Sequence, residues 1–312
     1  VTISNEDEAR ETPSAEMFPI RRVPQSWLRS KLSPTVERLL TRTKTGKGTS
    51  MDIASLDLHS QRYRRELEQI KRELAPGEFG WYPYGTLNNF HLLNQLLTGD
   101  HRNFLDRVGD SPIADIGAAD GDTAFFLESL GYRMHVIDYP PTNFNSCRGV
   151  KRLKQALDSQ VEIVEVDLDS QFKLPNAQYS LAFFLGILYH LRNPYFALEA
   201  LAKSAQYAFI STRITRFNIA DNVPPGSGNV NRARVEIASV PAAYLVAADE
   251  TNNDATNFWM FTEAGLLRIL DRCGWDVLDF MTIGNTKDSD PASNAGDERA
   301  FCYVRSRYFA AA

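Results

Sequence analysis

The sequence predicts an α/β protein: a doubly wound, mostly parallel sheet of seven strands that finishes in a C-terminal antiparallel hairpin, with a helical extension ahead of it. Three observations carry this. From Ile113 onward, short apolar runs alternate with helix-length amphipathic segments, the pattern of βα units. The first run, IADI, passes straight into a turn punctuated by Gly117 and Gly121 and then into a helix, as ligand-binding parallel sheets do. The last two runs have no helix between them, so they pair antiparallel.

Residues 1–16 are polar and aperiodic, the composition of a disordered tail. Residues 17–78 form the helical extension. Within it, residues 21–47 carry eight basic side chains against Glu37 alone. That arm suits an anionic partner such as RNA, or is a solvated surface. Ser33-Pro34 opens a short helix. Asp52 to Leu74 is a longer one, with Leu56, Tyr63, Leu67, Ile70 and Leu74 on one face, and Pro76-Gly77 stops it. The stretch 79–97 begins aromatic and irregular and ends helical. Its Trp81 and Tyr82 are core residues or a lid over the crevice behind the glycine turn.

In the sheet, Ile113–Ile116 is the first strand. Asp122 is placed as N-cap of the helix TAFFLESL, which Gly131 ends. Tyr132–Asp138 is the second strand, 148–157 a helix, Val161–Leu168 the third strand and the apolar Leu181–Leu185 the fourth. A helix spans Pro194–Ala205 and the fifth strand Tyr207–Thr212. Residues 213–257 are a mostly irregular insertion. Thr262 caps a helix that closes at Gly274, and Trp275–Met281 and Arg299–Arg305 are the final pair. Residues 79–312 thus form one α/β domain.

The composition narrows the functions. A chain of 312 residues with 43% hydrophobic content is globular, and a net charge of -5 does not by itself point to nucleic acid. No apolar run approaches the length of a membrane span, and the first residues show no signal-peptide pattern. Cys147, Cys273 and Cys302 make neither metal-ligand spacing nor a disulfide framework, so a cytoplasmic location and no metal centre are expected.

The chemistry gathers at strand ends. The dinucleotide fingerprint needs G-x-G-x-x-G, whereas this turn reads D-x-G-x-x-x-G, with Ala119 where the middle glycine would be. Asp138 ends the second strand 17 residues past Gly121, where an acid takes hydrogen bonds from a ribose diol. Asp167 ends the third at the same edge and suits an adenine amino group, with the Leu168 amide near the ring; the alternative is a loop aspartate. After the fourth strand come Gly186, a turn bearing Tyr189 and His190, and the helix opened by Asn193-Pro194.

These segments, Asp115 to Gly121 and G-I-L-Y-H-L-R-N-P from Gly186, resemble the motifs of class I S-adenosylmethionine-dependent methyltransferases. The second is similar to that of the bacterial wobble-uridine tRNA carboxymethyltransferases. The resemblance covers roughly residues 79–305 and implies a Rossmann-like sheet with S-adenosyl-L-methionine as cofactor. It places Asp115, Gly117, Ala118 and Gly121 along the methionine part, Asp138 on the ribose, Asp167 and Leu168 at adenine, Gly186 beside the crevice, and Tyr189 and His190 at the reactive centre. Thr256-Asn257-Phe258-Trp259 resembles the substrate-side N-W-W-x-P segment. Two positions depart. Ser180 replaces the usual acid before the fourth strand. The lysine that carboxymethyl-transferring relatives place in W-x-K-G corresponds to Tyr84, and a phenol supplies no such charge, so ordinary methyl transfer is expected.

The acceptor side is read from residue type. Arg213, Arg216, Arg232 and Arg234, with Tyr244, suit an anionic pocket, and Trp81, Tyr82, Asn257 and Trp259 complete the candidates. His190 titrates in the range of a general base, or is scaffold. Three functions stay open: methyl transfer to a small-molecule or glycan acceptor, RNA modification through the basic arm, and S-adenosylmethionine binding without turnover. The acceptor and the oligomeric state are not written in the sequence.

Overall fold

A computed structural model describes residues 51–309, apart from residues 75, 76, 78, 171, 172, 176, 177, 219–234, 249, 252, 253, 285, 288, 290 and 292–296. The predicted tail, the basic arm 21–47, the Ser33-Pro34 helix, and Arg232 and Arg234 lie outside the described residues.

The N-terminal helix α1 (Ile53–Leu74) buries Ile53, Leu56, Tyr63, Leu67, Ile70 and Leu74, the stripe that the three- and four-residue spacing predicts. Helix α2 (Asn89–Leu96) follows a single 3-10 turn at Thr86–Asn88. The βα units then begin: β1 (Ile113–Ile116), α3 (Asp122–Ser129), β2 (Met134–Asp138), α4 (Arg148–Ala156), β3 (Glu162–Glu165), β4 (Tyr179–Leu185), α5 (Pro194–Ser204) and β5 (Ala205–Ile214). Short strands β6 (Phe217–Asn218), β7 (Val235–Glu236), β8 (Ala243–Leu245) and β9 (Trp259–Phe261) precede α6 (Glu263–Arg272), β10 (Trp275–Gly284) and β11 (Glu298–Ser306).

The main sheet runs β10-β11-β5-β4-β1-β2-β3. Strands β3, β2, β1, β4 and β5 are parallel, and β11 is antiparallel to both β5 and β10. This is the predicted doubly wound, Rossmann-like sheet with one reversed strand. The reversed strand threads between β5 and β10, so its N-terminal end reaches the edge where the parallel strands end. The chain leaves β1 towards β2 on one side and returns to β4 on the other, which makes the gap beyond β1 and β4 the topological switch point.

Alternation along each strand feeds two cores. Leu181 and Phe183 of β4 face one layer with α1, α2, α3 and α4, where Phe90, Phe104, Phe125, Phe126 and Phe209 gather. Ala182 and Phe184 face the other, with Leu198, Leu201, Leu266 and Trp275 of α5, α6 and β10. Each large side chain buried this way contributes roughly 1.5–3 kcal/mol. Helix α1 belongs to the first layer and shares its core with the sheet.

Three expectations are corrected. Asp122 is the first residue of α3, and the N-cap is Gly121 in the left-handed region; the Asp122 carboxylate turns to Lys71 instead. Strand β3 ends at Glu165, so Asp167 and Leu168 sit in the turn beyond it, where the Asp167 carboxylate accepts from the Asp169 and Ser170 amides and bends the chain off the ladder. Among its described residues the insertion 213–257 carries three short strands, β6, β7 and β8, with β9 just past its end. Of these β8 pairs with β9, and β9 pairs with β5, so backbone pairing orders part of a segment that periodicity could not assign.

Candidate functional site

The turn after β1 is built by backbone conformations that few residues tolerate. Gly117 has φ +65° and Gly121 φ +82°, and Ala119 between them has φ +55°. The Gly117 N–H donates to the Ile137 carbonyl at 2.8 Å and the Gly121 N–H to the Ala118 carbonyl at 2.7 Å. A Cβ on Gly117 would stand 2.4 Å from Ile187 Cδ1, and one on Gly121 2.7 Å from Val150 Cγ2. Glycine thus suits both the backbone angle and a close approach, of the β4 exit turn at Gly117 and of α4 at Gly121. Ala118 is buried beneath.

Two carboxylates lie at this edge. Asp115, within β1, is 6% exposed, and its Oδ2 has no hydrogen-bond partner. Burial, helped by the charge of Asp138 and opposed by the Ala124 amide, pushes its pKa up to about 7. Asp138, at the tip of β2, accepts from the Tyr139 N–H at 2.7 Å and from Asn143 Nδ2 at 2.9 Å; burial raises its pKa as well. Asp167 differs. Its Oδ1 closes its own turn and its Oδ2 accepts from Ser170 Oγ at 2.6 Å, bonds that hold its pKa low. Leu168 is buried in the second core.

Gly186 follows β4 at φ +74°, and a Cβ there would meet only Arg299 Nη1 at 3.8 Å and Tyr189 Oη at 3.9 Å. The 3-10 turn Leu188–His190 carries both predicted rings. Tyr189 is buried, with its ring centroid 4.1 Å from that of His190 and with Arg299 over its face at 5.9 Å. His190 Nδ1 is 3.0 Å from both the carbonyl oxygen and Oγ1 of Thr256. A carbonyl only accepts, so Nδ1 carries the proton and Nε2 is the basic nitrogen. Burial lowers the His190 pKa, keeping the ring neutral at pH 7.

Several acceptor-side candidates have structural partners. Trp81 Nε1 donates to the Lys71 carbonyl at 3.2 Å and Trp259 Nε1 to the Arg192 carbonyl at 3.4 Å. Tyr244 Oη donates to Glu250. Asn257 is buried, and its Nδ2 donates to the Thr251 and Asp254 carbonyls, pinning the loop that presents Thr256. Arg213, 3% exposed, pairs with Asp297 at 3.1 Å, and Arg216 pairs with the buried Glu298 at 2.7 Å. Tyr82 reaches the β2–α4 loop, where its hydroxyl accepts from the Phe144 N–H at 3.0 Å; Tyr84 packs edge-on against it and is 61% exposed.

Sequence reasoning missed four residues. Arg299 and Asp297 reach the crevice because the reversed β11 starts there; an arginine at the head of a predicted antiparallel strand was the available signal. Asp120 sits inside the glycine turn, 1% exposed, and accepts from Lys71 Nζ, the Tyr82 N–H and Asn145 Nδ2. Lys71 comes from α1 and had no local signal. The surface cleft of about 380 Å³ lined by Lys151, Lys154, Gln155, Asp158 and Ser159 lies on α4, away from these groups. Among the described residues no cluster of three or more His, Cys, Asp or Glu could hold a metal, and no helix is long and apolar enough to cross a membrane.

Together these features define a class: a doubly wound α/β protein with two buried carboxylates at its topological switch. Among solved structures the chain is similar to the N-terminal domain of EvdMO1 with SAH bound, at 17% identity over 78% of this chain and 97% of that one, with a TM-score of 0.44. It is similar to the glycopeptide N-methyltransferase MtfA complexed with (S)-adenosyl-L-methionine, at 16% identity over 66% and 86%, TM-score 0.39. A putative methyltransferase from Bacillus halodurans aligns at 10% identity over 64% and 94%, TM-score 0.42. No protein-family model matches the chain, and no curated protein matches it.

Proposed function

We propose that this chain is an S-adenosylmethionine-dependent methyltransferase acting on a small-molecule or glycan acceptor. The observation that carries the reading is the pairing, at one switch point, of a buried carboxylate with an orphaned oxygen (Asp115) and a second strand-tip carboxylate (Asp138). Two buried acids that repel each other favour a cationic ligand, and S-adenosylmethionine carries an ammonium, a sulfonium and a ribose diol. When bound it supplies an electrophilic methyl group. The residues fit that group: Asp115, Gly117, Ala118 and Gly121 on the methionine side, Asp138 for the ribose, Gly186 beside the open face, with Asp167 and Leu168 the candidates for adenine.

The chain's own work is positioning, exclusion of water and the handling of one proton. Nε2 of His190, held basic by the Nδ1–H bond to Thr256, accepts the proton of an acceptor hydroxyl or amine. Tyr189 packs against it and holds its plane. Arg213 and Arg299, tied to Asp297, frame the acceptor side, with Trp81, Tyr82, Tyr244, Asn257 and Trp259 around it. In this reading α1 extends the 79–312 domain and shares its core, and the expected location is the cytoplasm.

The test is thermal. S-adenosylmethionine or its demethylated product should raise the melting temperature, as any ligand of the native state does, and NAD should not. A shift with NAD alone ends the reading. The basic arm favours a second reading, an RNA-modifying methyl- or carboxymethyltransferase similar to the wobble-uridine tRNA group. It requires RNA binding that falls steeply with salt. Cofactor binding without labelled product after incubation with extract marks a non-catalytic binding protein instead.

A further inference from the structure

Helix α1 lies outside the βα units, yet Lys71 on its last turn reaches the glycine loop. Its Nζ is 3.0 Å from Asp120 Oδ2 and 2.8 Å from Asp122 Oδ1, and the three side chains are 13%, 1% and 5% exposed. Asp120 is a hub. The same Oδ2 accepts from the Tyr82 N–H at 3.0 Å, and Oδ1 accepts from Asn145 Nδ2 at 2.8 Å, while Asn145 also donates to the Gly80 carbonyl. A Cβ on Gly149 would come within 2.0 Å of Asp120 Oδ1, so α4 is shaped to approach this carboxylate. One buried aspartate thereby ties α1, the 79–85 strap, the β2–α4 loop and α4 to the turn between Gly117 and Gly121.

From this geometry we propose that Lys71 is a positioning residue of the cofactor site: its ammonium bridges Asp120 and Asp122, offsets their repulsion and so holds the left-handed turn 117–121 in its binding conformation. The inference rests on the proposed cofactor only for what the turn holds; the lock itself belongs to the ligand-free chain. Without the ammonium, two buried carboxylates would face each other two residues apart in sequence, with Glu68 of α1, itself paired with Arg64 at 3.3 Å, and Asp115, once ionised, adding to the repulsion on Asp122. Leaving buried charge unpaired is strongly destabilising, and the cheapest relief is to swing the turn towards water. Around Lys71 itself the facing groups are Asp120, Asp122, and the Trp81 ring at 5.6 Å. Burial opposes its charge, but the two aspartates outweigh that and keep it an ammonium.

A charge lock has a signature that a packing role lacks. Burial already raises the pKa of Asp122, and Lys71 pulls it back. In Lys71→Met the carboxyls can regain neutrality only by taking up a proton, so the damage should grow with pH. Calorimetry of S-adenosylmethionine binding to the full chain reads this as the ratio of the variant's dissociation constant to that of the unsubstituted chain. The ratio should be roughly tenfold or more at pH 8.5 and within about threefold at pH 6. Lys71→Arg should stay within about threefold at both. Adding Asp122→Asn to Lys71→Met removes one of the two charges and should recover affinity at pH 8.5. A pH-independent ratio, or a double variant that binds no better than Lys71→Met, overturns the lock. If the unsubstituted chain binds no S-adenosylmethionine, the functional reading fails but the lock is still read. Amide exchange of residues 115–124 in the ligand-free chain should quicken in Lys71→Met relative to the unsubstituted chain, more at pH 8.5 than at pH 6. The α5 amides should be unchanged. Should Lys71→Met fail to fold, the double variant should fold and keep its 115–124 protection; failure of both, or equal exchange in all chains, also overturns it.

Discussion

His190 Nδ1 and the carbonyl oxygen of Thr256 are 3.0 Å apart, and this one contact ties the turn after β4 to the loop before β9. It sets the tautomer of the ring: Nδ1 donates, Nε2 accepts. The backbone repeats the tie one residue earlier, where the Phe258 N–H donates to the Tyr189 carbonyl at 2.8 Å. The insertion therefore holds the histidine against the sheet.

If Nε2 is the base, His190→Ala should lower turnover roughly a hundredfold or more while the cofactor dissociation constant changes little. The rate of the unsubstituted enzyme should fall as pH drops below a pKa that burial has depressed from 6.5, and should be flat above it, because only the neutral ring accepts a proton. Steady-state rates between pH 5 and 8 check both. Loss of stability and cofactor affinity together, with turnover at saturation intact, makes His190 scaffold.

Asp138→Asn should weaken cofactor binding by about 1–3 kcal/mol, the cost of losing a hydrogen bond to a charged acceptor. The amide would also face Asn143 Nδ2 and the Tyr139 N–H, so some loss of stability accompanies it. Asn143→Ala is the control, since it removes the neighbour and keeps the carboxylate. Calorimetry showing equal affinity loss in both variants would place Asp138 in the scaffold.

Asp115 predicts a pH dependence with two opposite signs. Burial pushes its pKa up to about 7 in the fold from the ordinary carboxylate value of 3.8, so the folded state binds the extra proton between these values. Stability from this group therefore falls as pH rises from 3.8 towards 7. A cationic ligand favours the carboxylate, so cofactor affinity should rise over the same interval, with proton release. Titrations in buffers of different ionisation enthalpy count that proton. In Asp115→Asn both slopes should flatten; slopes that persist assign them to Asp138 instead.

Gly117→Ala should destabilise the chain by about 1–3 kcal/mol through its left-handed backbone and the collision with Ile187. Adding Ile187→Ala removes the collision but not the strain and should restore only part of the loss. Chemical denaturation checks this. A neutral Gly117→Ala would mean that the β4 exit turn yields, and that the glycine is not what sets the approach.

The sequence by itself determined the elements whose information is local. The stripe of α1, the apolar β4, the Thr262 cap, whose Oγ1 accepts from the Gly265 N–H, and the positive φ at Gly117 and Gly121 follow from periodicity and backbone sterics within a few residues. The edge that carries Asp115, Asp138, Tyr189 and His190 was legible for the same reason: Asp115 lies near the end of β1, Asp138 ends β2, and Tyr189 and His190 follow β4, all strands of one parallel sheet. Only the tertiary structure decided which charges meet. Lys71 is 49 residues from Asp120, and Arg299 reaches Tyr189 because β11 enters between β5 and β10 in reverse. Asp167 and Asp122 look like strand-end and cap residues, yet one closes its own turn and the other answers a lysine on α1. Such choices depend on which partner remains once water is excluded, and that is fixed by how the layers pack, not by any stretch of chain alone.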